Sequence, residues 1–275
     1  MRESLKSAYS EFISLFIFGK YCRIFIFGER RSGKSTLIEN ILTKKKPASR
    51  SSTTEFHLYK GSTKDKLNGK TIGIFIADYA GEKQYQILQN PPEVFFGSPN
   101  SPSVNAIIFL VDFFPSKVVV ENPEKPEKTR EVTVSELLSE YNSENSMQKI
   151  KERLALNVKY LNEHSVLNAL AASFKDNNAT VKFVVNKMDI LQELLIKGYI
   201  KDEDGNAILS AKEFADKMYT PLKKEISDIC EKVSQDNEIE LDFGFHFISA
   251  FTGDGVNEVV GSIIENYIIE EGKKS

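Results

Sequence analysis

Residues 28 to 36 read GERRSGKST. Gly28, Gly33, Lys34 and Ser35 stand at the spacing G-x-x-x-x-G-K-[ST], which suits a turn whose backbone N–H groups face phosphate at the start of a helix. In such a turn the Lys34 ammonium neutralises β- and γ-phosphates and the Ser35 hydroxyl ligates magnesium, while Arg30, Arg31, Ser32, Gly33 and Thr36 complete the cradle. The spacing needs a strand before it and a helix after it. The flanks YCRIFIFG (21–28) and STLIENILTKKK (from Ser35) have the right character for both. Arg30 and Arg31 are the unusual feature, because residues at these positions are commonly small.

A second group of residues could read a base. NKMD at 186–189 closes an apolar strand-like run, the place where ligands of open α/β sheets bind. The Asp189 carboxylate can accept two hydrogen bonds from the guanine N1–H and N2–H₂ edge, a donor pair that adenine lacks. Asn186 would tie the base to the phosphate turn, and the Lys187 stem would cover a ring face. DYAG at 78–81 places Asp78 for a water-mediated magnesium contact and the Gly81 N–H for a γ-phosphate. Ser249 and Ala250 end the last strand-like run, with the Ala250 N–H directed at guanine O6.

With these motifs in this chain order, the sequence resembles the Ras-like GTPases of the translation-factor-related class over most of its length apart from inserts. The resemblance implies a P-loop GTPase domain: a six-stranded, mostly parallel sheet with one antiparallel edge strand, helices on both faces, GTP or GDP as ligand, magnesium, and two switch segments that order around the γ-phosphate. It also implies a magnesium-closing threonine in SSTTEF, where Thr53 or Thr54 is available and Thr53 fits the family's spacing. The chain departs from the pattern after Gly81. The family's water-orienting glutamine is replaced by Glu82, with Gln84 two residues on. A carboxylate beside a γ-phosphate repels it unless protonated or paired, so slow hydrolysis is expected.

RRSGKS is similar to the loop of the Rag C and D type, which are slow signalling GTPases. Arg31 occupies the position from which guanylate-binding-protein-type GTPases supply a cation to the transition state. The expected catalytic set is therefore Arg31, Lys34, Gly81 and Glu82. Arg31 could instead face solvent or a switch, and Arg30 stands where an attacking water needs room.

The elements that must position these groups follow from periodicity. Apolar, strand-length runs recur at 21–28, 55–60, 71–78, 104–112, 181–187 and 244–250. Their near-continuous apolarity fits a parallel sheet covered on both faces. Helical periodicity lies between several of them, notably in 146–175 and from Val256 to Tyr267, so the class is α/β. Two segments break the pattern: 114–135, rich in proline and charge, reads as a loop or short ribbon, and 191–240 reads as a mostly helical insert. Both are candidate contacts for a protein effector or regulator.

The apolar spacing within residues 1–19 predicts an apolar-faced helix before the domain at 20–275, a layout similar to Arf-like GTPases and suited either to a membrane surface or to packing on the domain. DEDGNAILSAKEF (202–214) has the oxygen spacing of a calcium loop at Asp202, Asp204, Asn206, Ser210 and Glu213, but Ala207 replaces the turn glycine. A polar turn capping the next helix is the alternative. Net charge is −3 over 275 residues, so no basic field points to nucleic acid. Cys22 and Cys230 have no zinc or disulfide spacing, which fits a reducing cytoplasmic setting. The functional readings are a slow GTP-hydrolysing switch, a non-hydrolysing GTP-bound scaffold, and an Arf-like membrane-recruitment GTPase.

Overall fold

The computed structural model describes residues 21–29, 31–42, 57–64, 71–78, 93–98, 101–114, 118–120, 129–161, 167, 171, 174, 178–201 and 210–273. Strands β1 (Tyr21–Gly28), β2 (His57–Lys64), β3 (Thr71–Asp78), β4 (Ala106–Asp112), β5 (Asn178–Asn186) and β6 (Glu240–Phe247) form one sheet in the order β6-β5-β4-β1-β3-β2. The β2–β3 pair is antiparallel and every other neighbouring pair is parallel. The class is α/β, with β2 as the antiparallel edge.

Alternate residues of the central strands enter two separate cores, which accounts for their unbroken apolarity. Ile24, Ile26, Ile74, Ile76 and Ile108 pack with α1 (Lys34–Ile41) and α6 (Val256–Lys273) through Leu37, Ile38, Val259 and Ile263. The opposite face is aromatic. Phe25, Phe27, Phe75, Phe109 and Phe183 pack with Leu137 and Leu138 of α2 (Val134–Ser139), Ile150 of α3 (Ser146–Leu161), Leu191 and Leu194 of α4 (Met188–Ile196) and several residues of α5 (Ala211–Asn237).

A row of phenylalanines crosses four strands on that face. Phe27, Phe109, Phe183 and Phe245 are register partners on β1, β4, β5 and β6. Phe27 meets Phe109 edge-on at 5.4 Å between ring centroids, and Phe109–Phe183 and Phe183–Phe245 stack at 5.3 and 5.2 Å. These spacings lie within the favourable range for aromatic pairs.

Several expected boundaries shift. β2 continues to Lys64 rather than stopping at 60, and β5 begins at Asn178 and ends at Asn186. β6 runs from Glu240 to Phe247 and does not reach Ala250. After Phe247 the chain turns, with Ser249 bridged to Asp254 and with Gly253 and Gly255 at φ 85° and 73°. The segment 114–135 contains the expected ribbon, Val118–Val120 against Thr129–Glu131.

The expected insert at 191–240 is helical but is not an appendage. α4 starts at Met188, and α5 buries Phe214, Tyr219, Leu222, Ile226, Cys230 and Val233 as a layer of the aromatic core. Burial pushes the Cys230 thiol up to about 12, so it stays protonated and unreactive at neutral pH. The Ser210 hydroxyl caps α5 by accepting from the Glu213 N–H at 3.2 Å, the role of a polar turn leading into a helix. Asp202, Asp204 and Asn206, like residues 1–19, lie outside the described residues. Among the described residues no helix is long and apolar enough to cross a membrane.

Replacing Phe109, which is 3% exposed between two ring partners, tests the row. Phe109→Ala is expected to lower stability by about 3–5 kcal/mol, and Phe109→Leu by much less, in urea unfolding followed by circular dichroism. A loss below about 1 kcal/mol for the alanine variant would contradict a central packing role.

Candidate functional site

Gly28, Asp78, Asp112 and Asn186 are the last residues of β1, β3, β4 and β5, so the candidate groups gather along the carboxyl ends of the parallel strands. Gly28 cannot be larger, because a Cβ there would stand 2.6 Å from the Leu110 carbonyl oxygen on the neighbouring strand. The chain then turns through Arg31, held in the left-handed region at φ 63°, and Gly33, at φ 97°, which caps α1. Gly33 offers no side-chain acceptor to the first turn, whose N–H groups have no partners within a helix. Ser35 is exposed on that first turn, and Thr36 is half-buried beside it.

Lys34 is 6% exposed. Its ammonium donates to the Gly28 and Glu29 carbonyl oxygens at 2.8 Å each, closing the loop over itself. Burial lowers its pKa, and the charges of Asp78, Glu29 and Asp112 oppose that shift. A buried cation whose ammonium donates to two neutral carbonyls is a ready partner for an incoming anion.

The 186–189 segment joins this loop through one side chain. Asn186 Nδ2 donates to the Ser32 carbonyl at 2.8 Å, and Asn186 Oδ1 accepts from the Ala250 N–H at 2.8 Å. The residues it connects are distant in sequence, yet the amide spans the loops after β1 and β6. The Ala250 N–H, expected to face guanine O6, is thus engaged by Asn186. The Ala250 carbonyl accepts from Asn40 on α1. Asp189, in the first turn of α4, accepts from Ser249 Oγ at 2.8 Å, so its carboxylate is oriented. Lys187 lies in the left-handed region at φ 68°, with its ammonium 3.0 Å from Asp112 Oδ2 and donating to the Phe114 carbonyl. Two of the three left-handed non-glycine residues among those described, Arg31 and Lys187, lie in these loops. Such strain persists where the surroundings enforce it.

The sequence reading did not identify the cluster behind the loops. Asp112 is 1% exposed. Burial raises its pKa against the opposing pull of Lys187 and Arg153. Arg153 and Asn157, one turn apart on α3, both donate to the Asp112 carbonyl, at 3.1 and 2.7 Å. Arg153 also lies 3.3 Å from Asp112 Oδ1 and pairs with Glu29 inside the phosphate-type loop. Although burial works against the Arg153 charge, Asp112 and Glu29 hold its pKa above the ordinary value. Asn157 Nδ2 also donates to the Tyr219 hydroxyl at 2.8 Å, linking the cluster to α5. The visible signal was an aspartate ending the otherwise apolar run AIIFLVD.

The structure therefore brings together Ser32, Gly33, Lys34, Asn186, Lys187, Asp189, Ser249 and Ala250. Arg30, Thr53, Gly81 and Glu82 lie outside the described residues. Asp78 is fully buried at the end of β3, level with Ile26 of β1, and its charge is felt at Lys34. An exposed hydroxyl at Ser35 and a carboxylate at Asp78 are hard oxygen donors of the kind that suit magnesium. Comparison with protein-family models and with curated proteins finds no match to this chain.

The Gly33–Asn186 approach can be tested by a double-mutant cycle. A Cβ on Gly33 would fall 2.2 Å from Asn186 Nδ2, in addition to the strain of its φ. Gly33→Ala is expected to cost about 1–3 kcal/mol in urea unfolding, and less in an Asn186→Ala background, where only the backbone strain remains. Equal costs in both backgrounds would mean that Asn186 is not the obstructing group.

Proposed function

We propose that this chain is a guanine-nucleotide-binding switch of the P-loop GTPase type that hydrolyses GTP slowly to GDP and phosphate. The observation that carries the reading is the Asn186 amide, which makes the Lys34 loop and the Asp189–Ser249 loops one site. A phosphate anchor and an oriented carboxylate acceptor held together in this way suit a ligand with phosphates at one end and a donor-bearing base at the other.

Each group then has a defined task. The N–H groups at the start of α1 receive phosphate oxygens, and Lys34 exchanges its two loop carbonyls for them. Ser35, and Asp78 through water, would hold magnesium, which would supply charge neutralisation on the phosphates. Asp189 accepts the guanine N1–H and N2–H₂, and the Ser249 hydroxyl fixes the carboxylate for that edge. Asn186 holds the loops in register, so the base and phosphate sites keep a fixed separation. The Arg31 guanidinium, carried on a strained loop position, serves the charge that develops on the γ-phosphate.

Competition binding tests the base assignment. GDP is expected to displace a fluorescent guanine nucleotide where ADP does not. Asp189→Asn should weaken GDP by roughly 10–100-fold and strengthen xanthosine diphosphate, whose C2 carbonyl accepts a donor from the new amide. Equal competition by ADP and GDP, or an unchanged preference in the variant, would overturn the guanine assignment. Single-turnover hydrolysis tests Arg31: Arg31→Ala is expected to slow phosphate release about tenfold or more, or over 1.4 kcal/mol of barrier, with nucleotide affinity retained. Turnover absent from both proteins would replace the switch by a constitutively loaded scaffold.

A further inference from the structure

We propose that Arg153 is a positioning residue of the nucleotide site that sets the charge of the phosphate cradle by cancelling the carboxylates of Glu29 and Asp112. The inference rests on the nucleotide reading above and assigns a task to a residue that belongs to none of the motifs. Arg153 sits on α3, 124 residues from Glu29 and 41 from Asp112 in sequence, yet its guanidinium reaches both. The side chain is 10% exposed, so solvent screens these contacts poorly.

Glu29 is itself a residue of the loop: its carbonyl accepts from Lys34 while its carboxylate pairs with Arg153. Asp112 lies behind the loop and also holds Lys187. The charges of Asp78, Glu29 and Asp112 all act on Lys34. A phosphate placed against the Lys34 ammonium is therefore exposed to the same three carboxylates, with the opposite sign of energy. Lys34, Lys187 and Arg153 provide three cations against those three anions. Removing Arg153 makes the cradle more negative by one charge, and a polyanion should sense that change in proportion to its own charge.

That proportionality separates a charge-setting task from a packing one. GMP, GDP and GTP would be titrated calorimetrically, at fixed magnesium and low salt, into the wild-type chain, Arg153→Met, Arg153→Lys, Glu29→Gln and the Arg153→Met/Glu29→Gln pair. The expected result for Arg153→Met is an affinity loss that grows with phosphate number, about tenfold for GDP and more for GTP. Arg153→Lys and the double variant should recover most of it. Glu29→Gln alone, which leaves Arg153 in place, should tighten GTP more than GMP. This arm needs no arginine variant to fold.

An equal loss for GMP and GTP, or a failure of the added Glu29→Gln change to restore affinity, would make Arg153 a packing residue and overturn the proposal while leaving guanine binding intact. Unchanged affinities in Glu29→Gln would overturn it as well. A wild-type chain that binds no nucleotide at all would instead bring down the nucleotide reading, and this inference with it.

Discussion

The register of the central parallel strands is the constraint on which the site depends. Side chains alternate along a strand, so a one-residue slip of β4 or β5 would exchange the two cores and withdraw Asp112 or Asn186 from the strand ends. The phenylalanine row opposes such a slip, because Phe27, Phe109, Phe183 and Phe245 meet ring to ring only in one alignment. The same alignment sets Asp112 beside Asn186 and Gly28 beside Leu110. The close approach at Gly28 and the reach of Asn186 to both loops are consequences of it. The packing of aromatic rings on one face thus fixes the positions of polar groups at one end.

Those polar groups are a cost to the fold. Lys34, Asp78, Asp112 and Arg153 are all buried charges, and each loses hydration that pairing restores only in part. Arg31 and Lys187 add left-handed backbone strain. The compensation lies in arrangement: opposite charges alternate from Glu29 to Arg153 to Asp112 to Lys187, and the Asp112 carbonyl receives two donors from α3. α5 braces the same point through Tyr219 and Asn157. A segment that reads as an insert therefore supports the site from behind, which explains why it is built into the aromatic core.

What could be read from the sequence was what chemistry imposes locally. The glycines, lysine and serine of the loop are close neighbours, because one turn and one helix start must supply the whole cradle, so their spacing is visible without a structure. Asn186 and Asp189 are likewise close in sequence, so their pattern is visible without a structure. The α/β class followed from apolar runs and chain order, whereas the antiparallel edge was an implication of the family resemblance. The Glu29–Arg153–Asp112 cluster was not legible, since its members are separated by long stretches of chain and an arginine on a helix looks like any solvated one. The end of β6 was misplaced because GFHFISA is largely apolar up to Ile248, while the turn is set by Gly253 and Gly255 further on. Nor could sequence tell that the Ala250 N–H would be taken by Asn186, since a backbone donor leaves no mark in residue identity.

Asp112 shows why the burial of charge here is better understood as specificity than as stability. An apolar residue at the end of β4 would remove the cost of a carboxylate whose pKa burial raises. It would also remove the Asp112 carboxylate from Lys187, a residue whose left-handed backbone directs the chain into α4. Asp189 is two residues further on, in the first turn of that helix, where its negative charge is favoured by the helix N-terminus. The Lys187–Asp112 pair therefore fixes the entry of α4, and through it the direction in which the Asp189 carboxylate is presented to Ser249. A buried ion pair is a weak source of net stability, but it admits few alternative geometries. At this strand end the selected geometry is the one that sets the spacing between the 28–36 loop and Asp189.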